Sequence, residues 1–384
     1  MSFTGKATFS AGSTLPEIVD DIADVVSIVS PHETPLLDAL GDPLHAATST
    51  RHEWLEDELL PNTDAINQPG LNDAALTTTA LTVAHGDRFR AGDLVQAAGS
   101  REALLVTAVA ANTLTLTRGY GGTPKSQLTH AGALTILGNA ALEGADAGAP
   151  RFTVRARRAN YTQIFSAAVQ VSGTEAAVRQ SQVEDEMQWQ MTNRLRELLR
   201  DLENTVINGV APDAAPEGST TVRRTLRGII ASITTNAMTL GSGYIPADDS
   251  LTEEHVNAAL RTIWEASGAK PDLLLVGGAI KRRINNFIVT SQRAAPAGET
   301  FKNLVSTYES DFGVCRVVLS RYVPSDCLLF LDSSKIAVVP LAGRSFHYKP
   351  LAVTGDYQSG EVLGEYTLEF RCEKAHGILR GLAA

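Results

Sequence analysis

Ser172-Gly173-Thr174-Glu175, then Val183, Met187, Met191, Leu195, Leu198, Leu202 and Val206, and finally Asn208-Gly209 make up the stretch that decides the fold. The first four residues form a capping box. The serine oxygen is placed to accept the Glu175 N–H, and the glutamate can reach back. The apolar residues recur at three- and four-residue spacing, while Arg194, Glu197, Arg200, Asp201 and Glu203 occupy the other sides. One face is therefore suited to burial. Asn208-Gly209 supplies the stop. The pattern predicts a helix over 173–208, about 50 Å long at 1.5 Å per residue. That exceeds an ordinary globular helix and suits a spine.

Toward the C-terminus, Leu251–Ala266 reads as a second amphipathic helix, with Thr252 as N-cap and Gly268 past its end. Asp272–Val276 reads as a buried strand, and Ala279–Ile288 as a third helix. Short strands are expected at Cys315–Leu319, Leu328–Leu331 and Ile336–Val339. In the last strand Tyr366, Leu368, Phe370 and Cys372 face one way, and Glu365, Thr367, Glu369, Arg371 and Glu373 the other. Helices and strands do not alternate as they do in a parallel sheet, so the class is α+β.

Toward the N-terminus, residues 77–138 look like a small β module. Its strands are expected at Ala80–Val83, Asp93–Ala97, Ala103–Val109, Thr113–Thr117 and Ala133–Leu137, with Val83, Leu94, Leu105, Leu114 and Ile136 buried together. Such a count of short strands suggests a barrel of SH3-like or OB-like size. Loops at Pro61–Ala75 and Asn139–Pro150 mark the module as an insertion. Residues 1 to about 45 read as an extended arm. Ile18, Val19, Ile22, Val25 and Val26 line one side of a short amphipathic helix that has no apolar partner nearby in sequence, so Ile18, Ile22 and Val25 are candidate inter-subunit contacts.

The chain has 384 residues, 43% hydrophobic and 20% charged, enough to bury a large core and too apolar for disorder. Its net charge of -10 argues against a chain that coats itself in nucleic acid. No apolar run approaches membrane-spanning length, and Met1–Lys6 has no signal core behind it. Cys315, Cys327 and Cys372 have no metal-type spacing and read as small core residues of a cytosolic product.

Catalytic and cofactor motifs are not found. Asp311-Phe312-Gly313 lacks the other kinase motifs and reads as a turn. Arg118-Gly119-Tyr120-Gly121-Gly122 lacks the Lys-Ser/Thr pair of a phosphate loop and reads as a hairpin turn. No two of the eight histidines stand at the spacing of a zinc helix, and no Gly-x-Ser-x-Gly elbow occurs. The expectation is a non-enzyme with no cofactor and no metal. Arg151, Arg155, Arg157 and Arg158 form the one concentrated basic segment. They suit an acidic face of a neighbouring subunit, or DNA, or simply a solvated face.

Ordered short motifs add a resemblance. These are Glu33-Thr34-Pro35-Leu36-Leu37, Thr48-Ser49-Thr50-Arg51-His52-Glu53-Trp54, Asn160-Tyr161-Thr162-Gln163-Ile164-Phe165 and Val171-Ser172-Gly173-Thr174. Pro271-Asp272, Lys281-Arg282-Arg283-Ile284 and Tyr308-Glu309-Ser310-Asp311-Phe312-Gly313 follow. Thr354-Gly355-Asp356, Glu365-Tyr366-Thr367-Leu368-Glu369 and Ala375-His376-Gly377-Ile378 complete the set. Outside the β module and the early arm, the chain resembles tailed-bacteriophage major capsid proteins of the Hong Kong 97-type fold along almost its whole length.

The resemblance implies a division of the chain. Residues 1–45 would be the N-terminal arm, 46–77 and 139–170 the two legs of the extended loop, and 78–138 an inserted β-barrel-like domain. Residues 171–221 would hold the peripheral domain with its spine helix, 222–335 most of the axial domain, and 336–384 the return strands of the peripheral domain. The implied function is self-assembly into hexamers and pentamers of an icosahedral shell around a double-stranded DNA genome, within the virion. Assembly would take place in the host cytoplasm. A portal protein would occupy one vertex, with separate scaffolding and decoration proteins as further partners. Packaged DNA would lie inside without sequence-specific binding, and no membrane would be involved. Some relatives carry a helical scaffolding region before the arm; this chain begins at the arm, so a separate scaffolding protein, or none, is expected. The rival readings are an encapsulin-like nanocompartment shell, which needs a cargo pocket, and a phage tail or connector component, which a spine helix does not suit.

Overall fold

The computed structural model describes residues 33–144, 146, 151–177, 185–291 and 307–383. They fall into two compact units: one holds the described residues up to Trp54 and from Arg157 onward, the other Leu55–Ala156. The expected arm helix, with Ile18, Ile22 and Val25, lies outside the described residues. In chain order, helix α1 (Pro35–Leu40) and strand β1 (Arg51–Glu56) come first. Then come β2 (Thr63–Ala65), β3 (Ala80–Thr82), β4 (Asp93–Ala97), β5 (Ala103–Ala110), β6 (Thr113–Thr117) and β7 (Ala133–Asn139). Next are β8 (Ala156–Tyr161), β9 (Gln163–Ser172), α2 (Gly173–Ala177), α3 (Glu186–Asn208) and α4 (Ile229–Ser232). The sequence continues with β10 (Ala237–Thr239), α5 (Glu253–Ser267), β11 (Leu273–Val276), α6 (Gly278–Ser291), β12 (Thr307–Ser310) and β13 (Gly313–Leu319). It ends with β14 (Leu328–Leu331), β15 (Ile336–Pro340), β16 (His347–Pro350), β17 (Tyr357–Phe370) and β18 (Gly377–Arg380).

In the larger unit a mixed sheet runs β10-β18-β14-β11-β13-β12. Its central strands are unbroken apolar runs because both faces are covered. Leu273, Leu275, Leu329, Leu331 and Ile378 enter one core; Leu274, Val276, Leu328, Phe330 and Leu379 enter the other. The second core is closed by Val256, Leu260 and Ile263 of α5 and by Ile280 and Ile284 of α6. The first is shared with Leu198, Leu202 and Val206 of α3, and with Phe165, Val338, Leu368 and Phe370 of a second sheet. In that sheet the long strand β17 pairs with β9 along one edge and with β15 and β16 along the other.

The long helix differs from the one expected over 173–208. It spans Glu186–Asn208, about 35 Å, because Asp185 adopts an extended backbone and its carboxylate takes the Gln188 N–H. Ser172 does receive the Glu175 N–H at 3.2 Å, but the helix it opens is the short α2. The stop falls where expected. A Cβ on Gly209 would come within 2.4 Å of the Thr205 carbonyl oxygen, so only glycine fits there. Asp311-Phe312 is the tight turn between β12 and β13.

The smaller unit contains one sheet, ordered β2-β7-β4-β5-β6-β3. Ile66 and Val83 form a backbone bridge between the segments that carry its two outer strands. Its core holds Ile66, Leu81, Val83, Val95, Leu104, Val106, Leu114, Leu116, Leu128 and Leu134. Two expectations need correcting. In β4 and β5 the inward residues are Val95, Ala97, Leu104 and Val106, whereas Leu94 and Leu105 pair on the opposite face. A shift of one residue reverses every side chain of a strand. The stretch Pro61–Ala75, expected as a flanking loop, supplies β2 and the buried Ile66 and belongs to the sheet.

Candidate functional site

Buried polar groups concentrate on β17, at the strand end where sequence alternation predicts a wet face. Glu365, Thr367 and Glu369 are all buried, with Glu369 5% exposed. A carboxylate out of water needs partners or it neutralises, and both glutamates have them. Glu365 accepts hydrogen bonds from Thr162 Oγ1 and Arg224 Nη2, each at 2.6 Å, and pairs with Arg344 at 2.8 Å. Glu369 Oε2 lies 2.8 Å from His45 Nε2 and 3.1 Å from His52 Nε2, and Arg371 Nε stands 3.1 Å from Oε1. The His52 hydrogen bond, outweighing the penalty of burial and helped by His45 and Arg371, holds the Glu369 carboxyl down at about 2.

The ordered motifs meet at this strand. Asn160 satisfies its whole amide: Nδ2 donates to the Arg227 and Leu368 carbonyls, and Oδ1 accepts from Tyr161 and Arg227 N–H groups. Thr162 donates its backbone N–H to Thr50, and Thr367 Oγ1 donates to the Tyr161 carbonyl. Glu203, fully buried on α3, accepts the Leu36 and Leu37 N–H groups at 2.9 Å each. It thereby caps α1, whose Thr34 makes no side-chain cap. Burial pushes the Glu203 carboxyl up. The site is thus a set of internal clasps on distant chain segments, with the chemistry of fastening and no nucleophile–base pair.

In the smaller unit the clasp is Arg118. It is buried, makes paired contacts with Glu102 at 2.7 and 2.8 Å, and also bonds Asp73. Burial works against the charge on Glu102 and Asp73, but the hydrogen bonds from Arg118 and from backbone amides outweigh it and hold both below the usual carboxylate range. Sequence reading misses this cluster, since in sequence Arg118 only opens a turn. An arginine directly after the strand pattern Thr113–Thr117 was the available signal.

Only the end of the basic segment lies on a strand. Residues 151–155 are irregular and strand begins at Ala156. Arg155 lies 3.9 Å from Asp57, Arg157 lies 3.4 Å from Glu53, and Arg151 bonds the Asp87 carbonyl. Arg158 is exposed. Cys315 and Cys327 are buried, with burial pushing their thiols up to about 11 and about 12. Cys372 departs from the core reading: it is exposed, with a φ of 53° just past β17. Among the described residues no helix is long and apolar enough to cross a membrane.

Comparison with known proteins adds the family. The family model described as SU10 major capsid protein matches residues 3–383. No curated protein matches the sequence. A solved structure described as the cyanophage A-1(L) capsid asymmetric unit is similar at 10% identity, covering 97% of this chain and 100% of that one, with a TM-score of 0.54. One of Microbacterium phage Oxtober96 gives 12% identity, coverages of 97% and 99%, and a TM-score of 0.52. One of Gordonia phage Cozz gives 10% identity, coverages of 100% and 99%, and 0.51. At such identities the likeness is one of fold.

Proposed function

The chain belongs to the SU10 major capsid protein family, and from that membership we propose how its segments build a phage head. It is a major capsid protein of a tailed phage, a mixed helix-and-sheet chain of Hong Kong 97 type that assembles with copies of itself into the virion shell. The family match over residues 3–383 is the observation that carries this. Negative-stain microscopy of the purified protein tests it: closed polyhedral shells are expected, and tubes or small particles alone would overturn it.

In the proposed division, residues 1–45 are the arm, 46–77 and 139–170 the extended loop, and 78–138 a barrel-like domain inserted at its tip, whose sheet also takes in β2 and Ile66 from the first leg. Residues 171–221 belong to the peripheral domain, 222–335 mostly to the axial domain, and 336–384 to the return strands. Support for the loop comes from large apolar side chains left in water along its legs: Leu59 is 87%, Leu142 83%, Phe152 83% and Val154 80% exposed. Apolar surface of that kind marks a face that another molecule covers. The neighbouring subunit is the proposed cover, with Arg151, Arg155, Arg157 and Arg158 at its rim. Exposed ion pairs like those of Arg155 and Arg157 contribute little within the chain, which leaves these two able to re-pair across an interface. Replacing Phe152 and Val154 together by aspartate should leave a folded subunit that no longer forms shells.

The arm is proposed as an assembly element through Ile18, Ile22 and Val25. Deleting residues 1–30 should give soluble, folded protein that assembles poorly; equally stable shells would sink the idea. Hexamers and pentamers closing as rings, a portal at one vertex, separate scaffolding or decoration proteins, and assembly in the host cytoplasm complete the proposal. The net charge of -10 supports a wall that contains DNA without binding its sequence.

A further inference from the structure

We propose that His45, His52 and Glu369 form a transition-metal site, fitted to zinc, that fastens the segment before β1 to the end of β17. Their ligand atoms lie within 4.8 Å of one another, and among the described residues no other group of histidine, cysteine or acidic side chains converges in this way. The two imidazole nitrogens stand 2.8 and 3.1 Å from one carboxylate oxygen. Ligands of a tetrahedral zinc, each about 2.0–2.1 Å from the metal, are about 3.3 Å apart. Both histidine–carboxylate separations are close to that spacing, and the two imidazole nitrogens, within 4.8 Å of each other, are near enough to share one ion.

The donor set selects the metal. Two imidazoles and one carboxylate suit zinc, copper, nickel or cobalt, whereas calcium and magnesium need more oxygens. Arg371, against the far oxygen of Glu369, acts in the same direction. Its positive charge opposes a cation held by charge alone, and is tolerated only where imidazole nitrogens bond the metal directly. The same contact fixes the carboxylate so that Oε2 faces the histidines, as outer partners of metal ligands do. Access is open, because the His45 side chain is 48% exposed while that of Glu369 is only 6%. Water can fill the fourth position, and the ion can enter without unfolding the subunit.

Sequence spacing does not reveal such a site. His45 and His52 stand seven residues apart, and Glu369 is 317 residues beyond His52. A metal here is a cross-link over that separation, stabilising the folded subunit by an amount that grows with the logarithm of free metal above the dissociation constant.

The test is zinc titration of assembled shells at pH 7.5, after chelation and buffer exchange, read by calorimetry and by the visible spectrum of the cobalt-loaded protein. The expectation is one zinc per subunit and a tetrahedral cobalt band. His45→Ala, at a half-exposed position that should not disturb folding, should weaken binding by about 100-fold or more, beyond the loss of an outer partner. His52→Ala should do the same. Added zinc should raise the melting temperature of wild-type shells and leave that of His45→Ala unchanged. Zinc uptake by wild type no greater than by the His45→Ala, His52→Ala double variant would overturn the proposal and leave a plain hydrogen-bonded cluster. So would an octahedral cobalt spectrum identical in both proteins.

Discussion

The two units each bury charge, but they close it over very different lengths of chain. In the smaller unit Arg118 reaches Glu102 across 16 residues and Asp73 across 45. In the larger, Glu203 reaches Leu36 across 167, Glu365 reaches Thr162 across 203, and Glu369 reaches His52 across 317. Loop closure costs more as the loop lengthens, and non-local contacts form late. The smaller unit can therefore satisfy its own polar groups early and alone. The larger is complete only when its first and last described segments meet.

The sharpest way to break this contrast is Arg118→Ala. It strands two buried carboxylates, and the expected cost is roughly 3–5 kcal/mol. In urea the loss should fall on the transition of residues 55–156 and leave the other unit's midpoint in place. A single transition moving as a whole would show that the units are not independent. Conversely, Leu198→Ala, which empties a position on α3 that is 6% exposed, should cost roughly 2–5 kcal/mol in the larger unit only. An unchanged urea midpoint would mean that this face of the helix is misassigned.

Acid should separate the units next. Burial pushes the His376 imidazole down from 6.5 to about 4. Between those values the unfolded chain binds a proton that the folded one refuses. The larger unit is thus fully stabilised above pH 6.5 and loses roughly 3 kcal/mol as pH falls to about 4. The smaller unit depends on Asp73 and Glu102, whose carboxyls are held down, so its loss begins only below the ordinary carboxylate values of 3.8 and 4.5. Urea midpoints measured from pH 8 to 4 should show the larger unit weakening first. The smallest effect is expected for Asp185→Ala, about 1 kcal/mol from the lost cap of α3, read as a small shift of the same transition as Leu198→Ala.

Much of the secondary structure was legible because periodicity is a local property. Thr113–Thr117 alternates and is a strand with Leu114 and Leu116 inward. Thr252 and Gly268 bound α5 as caps, and Leu328–Leu331 is a strand as read. Faces were harder. In β4 and β5 the runs Leu94-Val95 and Leu104-Leu105-Val106 offer apolar residues to both sides, so alternation could not choose. On β17 the alternation was real, but the polar face is buried, because Thr162, Arg224, Arg344, His45 and His52 come to it from elsewhere. Nothing in the local pattern announces these partners, of which Thr162, His45 and His52 lie two or three hundred residues away. The ordered motifs did mark these positions, as Thr48–Trp54, Asn160–Phe165 and Glu365–Glu369, without revealing what they do.

The pairing of β9 with β17 sets an order of events on the ribosome. Ten residue pairs, from Gln163 with Tyr366 to Ser172 with Tyr357, join strands whose sequences are almost two hundred codons apart. At bacterial speeds of about 5–20 residues per second, β9 waits roughly 10–40 s for its partner. Residues 55–156 have already emerged by then, with every strand of their sheet in hand. The nascent chain thus carries a finished small unit and an unfinished large one, and the large one is completed only once β17 and β18 have been made. A subunit that cannot close its sheet before β17 is made presents no finished binding surface until then, so lattice growth draws only on chains synthesised past that strand.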